Sequence, residues 1–270
     1  MIKLSIILPS YHDKYNKNTV EDLLKNSELG ETLEIIVVQD GYWMPPEWIV
    51  HDPHVRYVHL GSNRGMRGAI NAGILVARGE FFCRLDEHCS FGKGWDKILT
   101  DSCQPNWVMT ARRFYLDPIK WEVMPEHGYV DCEKLVIQDM GNGVRKFAGQ
   151  KWKTRSEELK DTPIIESQAM QGSMWIAHRD FWIKTCGELQ TEGYGPTYQD
   201  SVEVCMKYWK VGGKLMINKD TWFAHKHRSF SRTHNEGSPE NPSKREASWA
   251  YALSVWEPYY KELQEQWKTW

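Results

Sequence analysis

Four short apolar runs, each ending at a polar or turn-forming residue, most constrain what this chain can fold into. Residues 3–8 close on Pro9-Ser10, residues 33–38 on Gln39-Asp40-Gly41, residues 55–60 form a third run, and residues 80–85 lead into Asp86. Runs of this length, rich in β-branched residues, read as buried strands. Between them, a polar segment at 18–29 stopped by Gly30, and a stretch at 65–76 with small and apolar residues at helical spacing, read as helices. Strands alternating with helices imply an α/β fold whose parallel sheet has right-handed crossovers. Such sheets bind ligands at the carboxyl ends of their strands. Pro9, Ser10 and Tyr11, together with Asp40 and Asp86, are therefore expected to share one crevice.

The second half is less regular. Residues 106–111 read as another strand, after which alternation fades from 112 to 162, as expected of an insertion of loops and short strands. Order returns at 168–177. A helix is expected over 201–211, stopped by Gly212-Gly213, and strands at 215–218 and 221–224. Ser, Asn, Gly, Pro and charged residues dominate 229–244, the composition of a mobile surface loop. The closing segment carries Trp249, Leu253, Trp256, Tyr260, Leu263 and Trp267 at helical spacing, with Pro258 expected to kink or split it. The chain of 270 residues is long enough for one large domain. The expected organisation is a catalytic unit over 1–228, with a nucleotide-binding half at 1–105 and an acceptor and metal half at 106–228, then a flexible loop at 229–243 and a helical segment at 244–270.

The run at 82–85 delivers Asp86 and, two residues on, His88. On a continuing strand, positions i and i+2 face the same side, so a carboxylate and an imidazole would converge at the strand end. A hard oxygen and a borderline nitrogen suit a divalent ion such as Mn²⁺. Polar residues are common at strand ends in any protein, so the pair gains meaning only from its context. A formal net charge of −2 gives no global field to gather nucleic acid. The six cysteines show no CxxC pair and are expected as free thiols of a reducing compartment. The apolar start is too short for a signal or membrane segment. A soluble, cytoplasmic protein of bacterial or viral origin is expected.

The order of the motifs resembles a GT-A glycosyltransferase. SIILPSY, VVQDGY and NRGMRGAINAGILVARGEFFCRLDEH look like the nucleotide-binding half of the large family built around a D-x-D motif. RLDEHCSFGKGW is similar to the D-x-H-C segment of polypeptide N-acetylgalactosaminyltransferases, MQGSMWIAHRDFW to their G-G-x-x-x-I-x-x-x-x-F segment, and DSVEVCMKYWKVGG to their E-N-x-E followed by W-x-C-G-G. TWFAHKHR matches the spacing of G-H-x-x-R. The resemblance spans residues 3–228 and implies a single-domain GT-A fold, with a Rossmann-like mixed, mostly parallel sheet flanked by helices, a UDP-sugar donor and Mn²⁺, with Mg²⁺ as the alternative, held by Asp86, His88 and His225. His227 alternates to the other side of an extended segment and is the weaker candidate ligand. The resemblance further implies that Pro9, Ser10 and Tyr11 wrap the uridine and that Asp40 contacts the uracil. It places Arg228 near the diphosphate. Arg64 and Arg67 lie beside a helix start where cations and backbone N–H groups meet phosphates.

One departure bears on mechanism. Anchored on Trp209 and Gly212-Gly213, the alignment puts Asp200 and Glu203 on the two acids of E-N-x-E, with Ser201 at the middle position, where inverting relatives carry their base. A base is needed there because the attacking hydroxyl must lose a proton. Asp200 is thus the candidate catalytic base or sugar-hydroxyl contact and Glu203 the second candidate acid, expected in a structural or sugar-binding role, and inversion or retention stays open. The acceptor also stays open between a glycan, a protein and a hydroxymethylated base in DNA. For DNA, Arg112-Arg113, residues 151–155 and residues 226–232, interleaved with Trp152 and Phe230, offer cations and stacking rings. A non-catalytic nucleotide-sugar-binding module and a sugar nucleotidyltransferase are the competing readings.

Overall fold

A computed structural model describes residues 1–195, 198–227 and 242–270. The first half follows the pattern closely. β1 (Leu4–Ser10), α1 (Asn16–Asn26), β2 (Leu33–Asp40), β3 (Val55–Leu60), α2 (Gly65–Val76) and β4 (Phe81–Leu85) succeed one another, and β1 pairs in parallel with both β2 and β4 while β2 pairs in parallel with β3. β1 runs two residues further than its apolar run, because Pro9 and Ser10 stay in register with Val38 and Gln39. Alternation along the strands divides the core. Ile6, Leu8, Ile35 and Val37 pack on one face, and Ile7, Ile36 and Val38 meet Ala69 and Ile70 of α2 on the other. Gly73 allows this close approach, since a Cβ there would lie 2.4 Å from Ile7 Cγ2.

β5 (Cys89–Phe91) and α3 (Trp95–Ser102) follow, then β6 (Trp107–Asp117), which extends well past the expected end at 111. The expected insertion is therefore smaller than 112–162. β7 (Glu122–Val123) and β8 (Tyr129–Val130) fold back on β6, and β9 (Glu133–Asp139) and β10 (Arg145–Lys151) make a separate hairpin followed by α4 (Lys153–Glu158). β11 (Ile164–Glu166), β12 (Met174–His178), α5 (Arg179–Thr185), α6 (Asp200–Lys210) and β13 (Lys214–His225) complete the sheet. Its order is β11-β13-β6-β12-β4-β1-β2-β3. β12 lies antiparallel between β4 and β6, and β11 is antiparallel to β13, so the sheet is mixed and mostly parallel, as the resemblance implies.

Two expectations about elements fail for tertiary reasons. The strands at 215–218 and 221–224 are one strand, β13, whose register on β6 slips between Asn218 and Trp222 instead of breaking. Lys219 N–H, within the slip, donates to Pro163 O at 2.8 Å. The closing helix α7 (Pro242–Gln266) is continuous through Pro258. A proline inside a helix forfeits a hydrogen bond at a cost of about 3 kcal/mol. Here Leu253, Trp256, Tyr260 and Leu263 are buried against Leu135 of β9 and Phe147 of β10, and that packing offsets the loss. Of the expected loop at 229–243, residues 242 and 243 belong to α7, and the rest lies outside the described residues. All six cysteines are free and buried. No helix among the described residues is long and apolar enough to cross a membrane.

Candidate metal and donor site

The carboxyl ends of β1, β2, β4, β6 and β13 open at one edge of the sheet. β4 stops at Leu85, and the next backbone group, Asp86 N–H, donates to Ser173 O at 2.8 Å. The chain then bends through 86–88 and re-enters the sheet as β5, whose Cys89 lies opposite His225 of β13. Lys226 N–H donates to His88 O at 3.1 Å and locks the two segments together. Asp86, His88 and His225 therefore converge through a bend and a cross-strand pair, not along a continuing strand.

The three side chains place their ligand atoms within 4.8 Å of one another. Asp86 Oδ2 lies 3.1 Å from His225 Nε2 and 4.0 Å from His88 Nε2. Ligands at adjacent corners of an octahedral ion sit about 3 Å apart, so the cluster needs only a small adjustment to close on one. His88 is 1% exposed, and its Nδ1 lies 2.8 Å from Asp13 Oδ2, while its Nε2 has no hydrogen-bond partner. A carboxylate on one imidazole nitrogen turns the other, as a lone pair, towards a metal. A buried ring nitrogen without a partner, two imidazoles and a carboxylate are a donor set that fits a divalent cation.

Electrostatics keep Asp86 and His225 deprotonated. Burial opposes ionisation of Asp86, but Arg84, whose Nη2 donates to Oδ1 at 2.8 Å, together with His225 and His88, holds the carboxyl far below the usual range. Burial pushes His225 down to about 4 against the opposing pull of Asp86, leaving a neutral imidazole. Asp200, at the first turn of α6, is raised by burial more than Arg84 and Arg67 lower it. The turn that presents it includes Gln199, a non-glycine residue with φ of 58°, a conformation costing about 1–2 kcal/mol.

The expected donor-binding residues lie along the same edge, with different freedoms. Ser10 Oγ is 2.7 Å from Tyr42 Oη, and Tyr11 N–H donates to Glu87 Oε1 at 3.0 Å. Tyr11 and His12 pack on Tyr42, with ring centroids 5.9 and 4.3 Å away, so three rings line the start of the crevice. Pro9 is the penultimate residue of β1. Asp40 is buried, and its Oδ1 accepts the Arg64 N–H at 2.6 Å, which ties the carboxylate to the start of α2. The Arg64 side chain is exposed. Arg228 lies outside the described residues.

Arg67 and Glu203 turn to each other rather than to the crevice. Both are fully buried and form an ion pair with each other. Arg67 also donates to Tyr198 O at 2.7 Å and Gln190 O at 2.9 Å and lies over the Tyr194 ring, while Glu203 Oε1 takes Lys207 Nζ at 2.7 Å. Helix periodicity points Arg67 into the interior, where it anchors the loop before Asp200 rather than a phosphate. Glu203 is consumed in the same way, which leaves Asp200 as the carboxylate of that helix nearest the crevice.

Of the basic stripes considered for DNA, residues 228–232 lie outside the described residues, and Lys151 and Lys153 are exposed. Arg112 makes two hydrogen bonds to Asp131, at 2.8 and 2.9 Å, Arg113 is 7% exposed, and Arg155 lies over Trp152 and Trp270. Several site residues went unread in the sequence. Arg84 stands at i−2 from Asp86, so the same periodicity argument that raised His88 would have found it. Asp13 and Glu87 carried no signal, because their partners lie 75 and 76 residues away.

A mixed sheet of this order, with a metal-competent cluster at the carboxyl end of β4, defines the GT-A fold. Residues 5–122, from β1 into β7, match the family model described as Glycosyl transferase family 2. Among solved structures, the chain is similar to GalNAc-T7 with UDP, GalNAc and Mn²⁺, at 18% identity and a TM-score of 0.72, over 97% of this chain and 50% of that one. The chain thus spans about half the length of the solved chain it matches. No curated protein matches it.

Proposed function

We propose that the protein is a metal-dependent glycosyltransferase that moves a sugar from a UDP-sugar to an acceptor hydroxyl. The observation that carries this is the Asp86–His88–His225 cluster at the strand ends, with His88 already oriented by Asp13. The family match over 5–122 and the likeness to a chain crystallised with UDP and Mn²⁺ support the donor class. Asp86, His88 and His225 would hold Mn²⁺ or Mg²⁺, whose charge offsets that of the departing diphosphate.

The remaining roles fall to side chains of this chain. Tyr11, His12 and Tyr42 supply ring faces and edges for the base and ribose beside Pro9 and Ser10. Asp40 fixes the start of α2, so that helix N–H groups, with the exposed Arg64, face the donor. Arg228 is the proposed diphosphate contact from beyond β13. Asp200 takes the proton of the attacking hydroxyl or holds a donor hydroxyl. Its raised pKa suits a base, since a stronger base at working pH abstracts protons more effectively. Mass spectrometry of UDP-sugars incubated with enzyme and Mn²⁺ should detect slow hydrolysis to UDP and free sugar. Asp86→Ala and His225→Ala should each abolish it and weaken UDP binding. Unchanged activity and UDP affinity in both variants would refute the metal assignment, and tight UDP binding without turnover on any acceptor would make the protein a binding module instead.

A further inference from the structure

β6 and β13 run in parallel register, Phe223 beside Arg113 and His225 beside Tyr115. Neighbours in parallel register point to the same face. Arg113 and Tyr115 therefore look into the same crevice as His225, on the side away from β1, β2 and β3. Opposite them stands Glu133, the first residue of β9, paired in register with Lys151. Arg113 is 7% exposed and Glu133 6%. Their charges attract, yet no ion pair within hydrogen-bond reach joins them, and Arg113 Nε has no hydrogen-bond partner among the described residues.

A buried guanidinium nitrogen left without a partner carries an uncompensated desolvation cost. A protein gains nothing by holding one apart from a carboxylate that could neutralise it, unless a ligand group fills the space between. The Glu133 carboxylate is also built in. It lies over Gly149, where a Cβ would come within 2.9 Å of Oε2, and the neighbouring Gln171 side chain favours its charged form. Lys151 Nζ lies 5.4 Å from the centre of the Tyr115 ring, and Arg113 Cζ 5.7 Å.

We propose that Arg113, Glu133, Gln171 and Tyr115 form the acceptor subsite and that its occupant is a carbohydrate. This rests on the glycosyltransferase reading above. A sugar offers vicinal hydroxyls that donate to the carboxylate and accept from the guanidinium, bridging the gap between them, and an apolar ring face for Tyr115. A phosphate would be drawn by Arg113 and Lys151 but would face the Glu133 carboxylate, so an uncharged polyol suits the mixed charges better than a nucleic-acid backbone. A peptide would find polar groups where its side chains need an apolar groove. Burial raises the Glu133 carboxyl more than Arg113 and Lys151 lower it.

The test is saturation-transfer NMR on the full chain with UDP and diamagnetic Mg²⁺, using a panel of methyl glycosides, a Ser/Thr peptide and a hydroxymethylated DNA duplex as probes. UDP affinity is measured in parallel by calorimetry. At least one glycoside should receive saturation, and Glu133→Gln and Arg113→Met should each weaken its binding at least tenfold while UDP affinity stays within twofold. Gly149→Ala, which pushes the carboxylate aside without removing a charge, should weaken it similarly and serves should the charge variants misfold. Saturation of the peptide or the duplex alone, of no probe by a protein that binds UDP, or of a glycoside undiminished in the variants overturns the subsite. A protein that fails to bind UDP with Mg²⁺ overturns the donor reading first, and the subsite with it.

Discussion

Asp13→Asn tests whether His88 is held ready for a metal. Asp13 Oδ1 accepts the Tyr15 N–H at 2.9 Å, and Oδ2 faces His88 Nδ1 at 2.8 Å. In the asparagine variant the amide oxygen must stay with the Tyr15 N–H, which needs an acceptor, so the NH₂ group turns to His88. Nδ1 then has to accept, and the ring proton moves to Nε2, the nitrogen 4.0 Å from Asp86 Oδ2. A protonated Nε2 has no lone pair for an ion. Loss of such an outer partner costs about 10–100-fold in metal affinity, or about 1.4–2.7 kcal/mol. Because the asparagine enforces the wrong tautomer while Asp13→Ala merely frees the ring, Asn should be the more damaging of the two. It should also be the gentler on stability, since it keeps the volume and the turn. Calorimetric titration of Mn²⁺ into UDP-saturated protein, alongside thermal unfolding, gives both readouts. Metal affinity within twofold of wild type for Asp13→Asn, or a larger loss for alanine at equal stability, would refute the reasoning.

Two further outcomes follow from buried charge. Arg67→Met should destabilise by about 3–5 kcal/mol in urea unfolding, because it strands Glu203 in the interior, and adding Glu203→Gln should recover part of the loss; a cost below about 1 kcal/mol would mean that Lys207 alone satisfies Glu203. In metal-free protein the His225 imidazole, buried at about 4 against an ordinary 6.5, favours the folded state fully above pH 6.5, and that contribution drains away as pH falls towards 4. The sum is about 3 kcal/mol, so unfolding free energies measured from pH 7 to 4.5 should decline, and His225→Gln should flatten the decline.

The sequence was most legible where local physics decides the outcome. β3 and α2 fall at the residues where their patterns begin and end, because β-branched runs and small-residue helical spacing are local properties. Legibility fell where partners decide. β9 and β10 read EKLVIQD and RKFAGQK, short and polar, and become strands because they pair with each other and Phe147 is covered by α7. Pro258 reads as a break and is carried through by the same packing.

The site divides along the same line. That Asp86 and His88 would meet was foreseen from strand periodicity, which is the wrong cause, since β4 has ended before either residue. Strand periodicity is the better guide one step earlier: Arg84 and Asp86 do lie on one side and are hydrogen-bonded. Arg67 and Glu203 show the opposite limit. Arg67 was read as a functional charge from its place beside a helix start, and Glu203 from its place in the motif alignment. Nothing in either neighbourhood reveals that the other, 136 residues away, is its partner. Arg113 and Glu133 share that burial but have no such closure between them. The contrast between a buried pair in contact and a buried pair held apart exists only in the folded chain, and it separates a charge that holds the structure from one placed for a ligand.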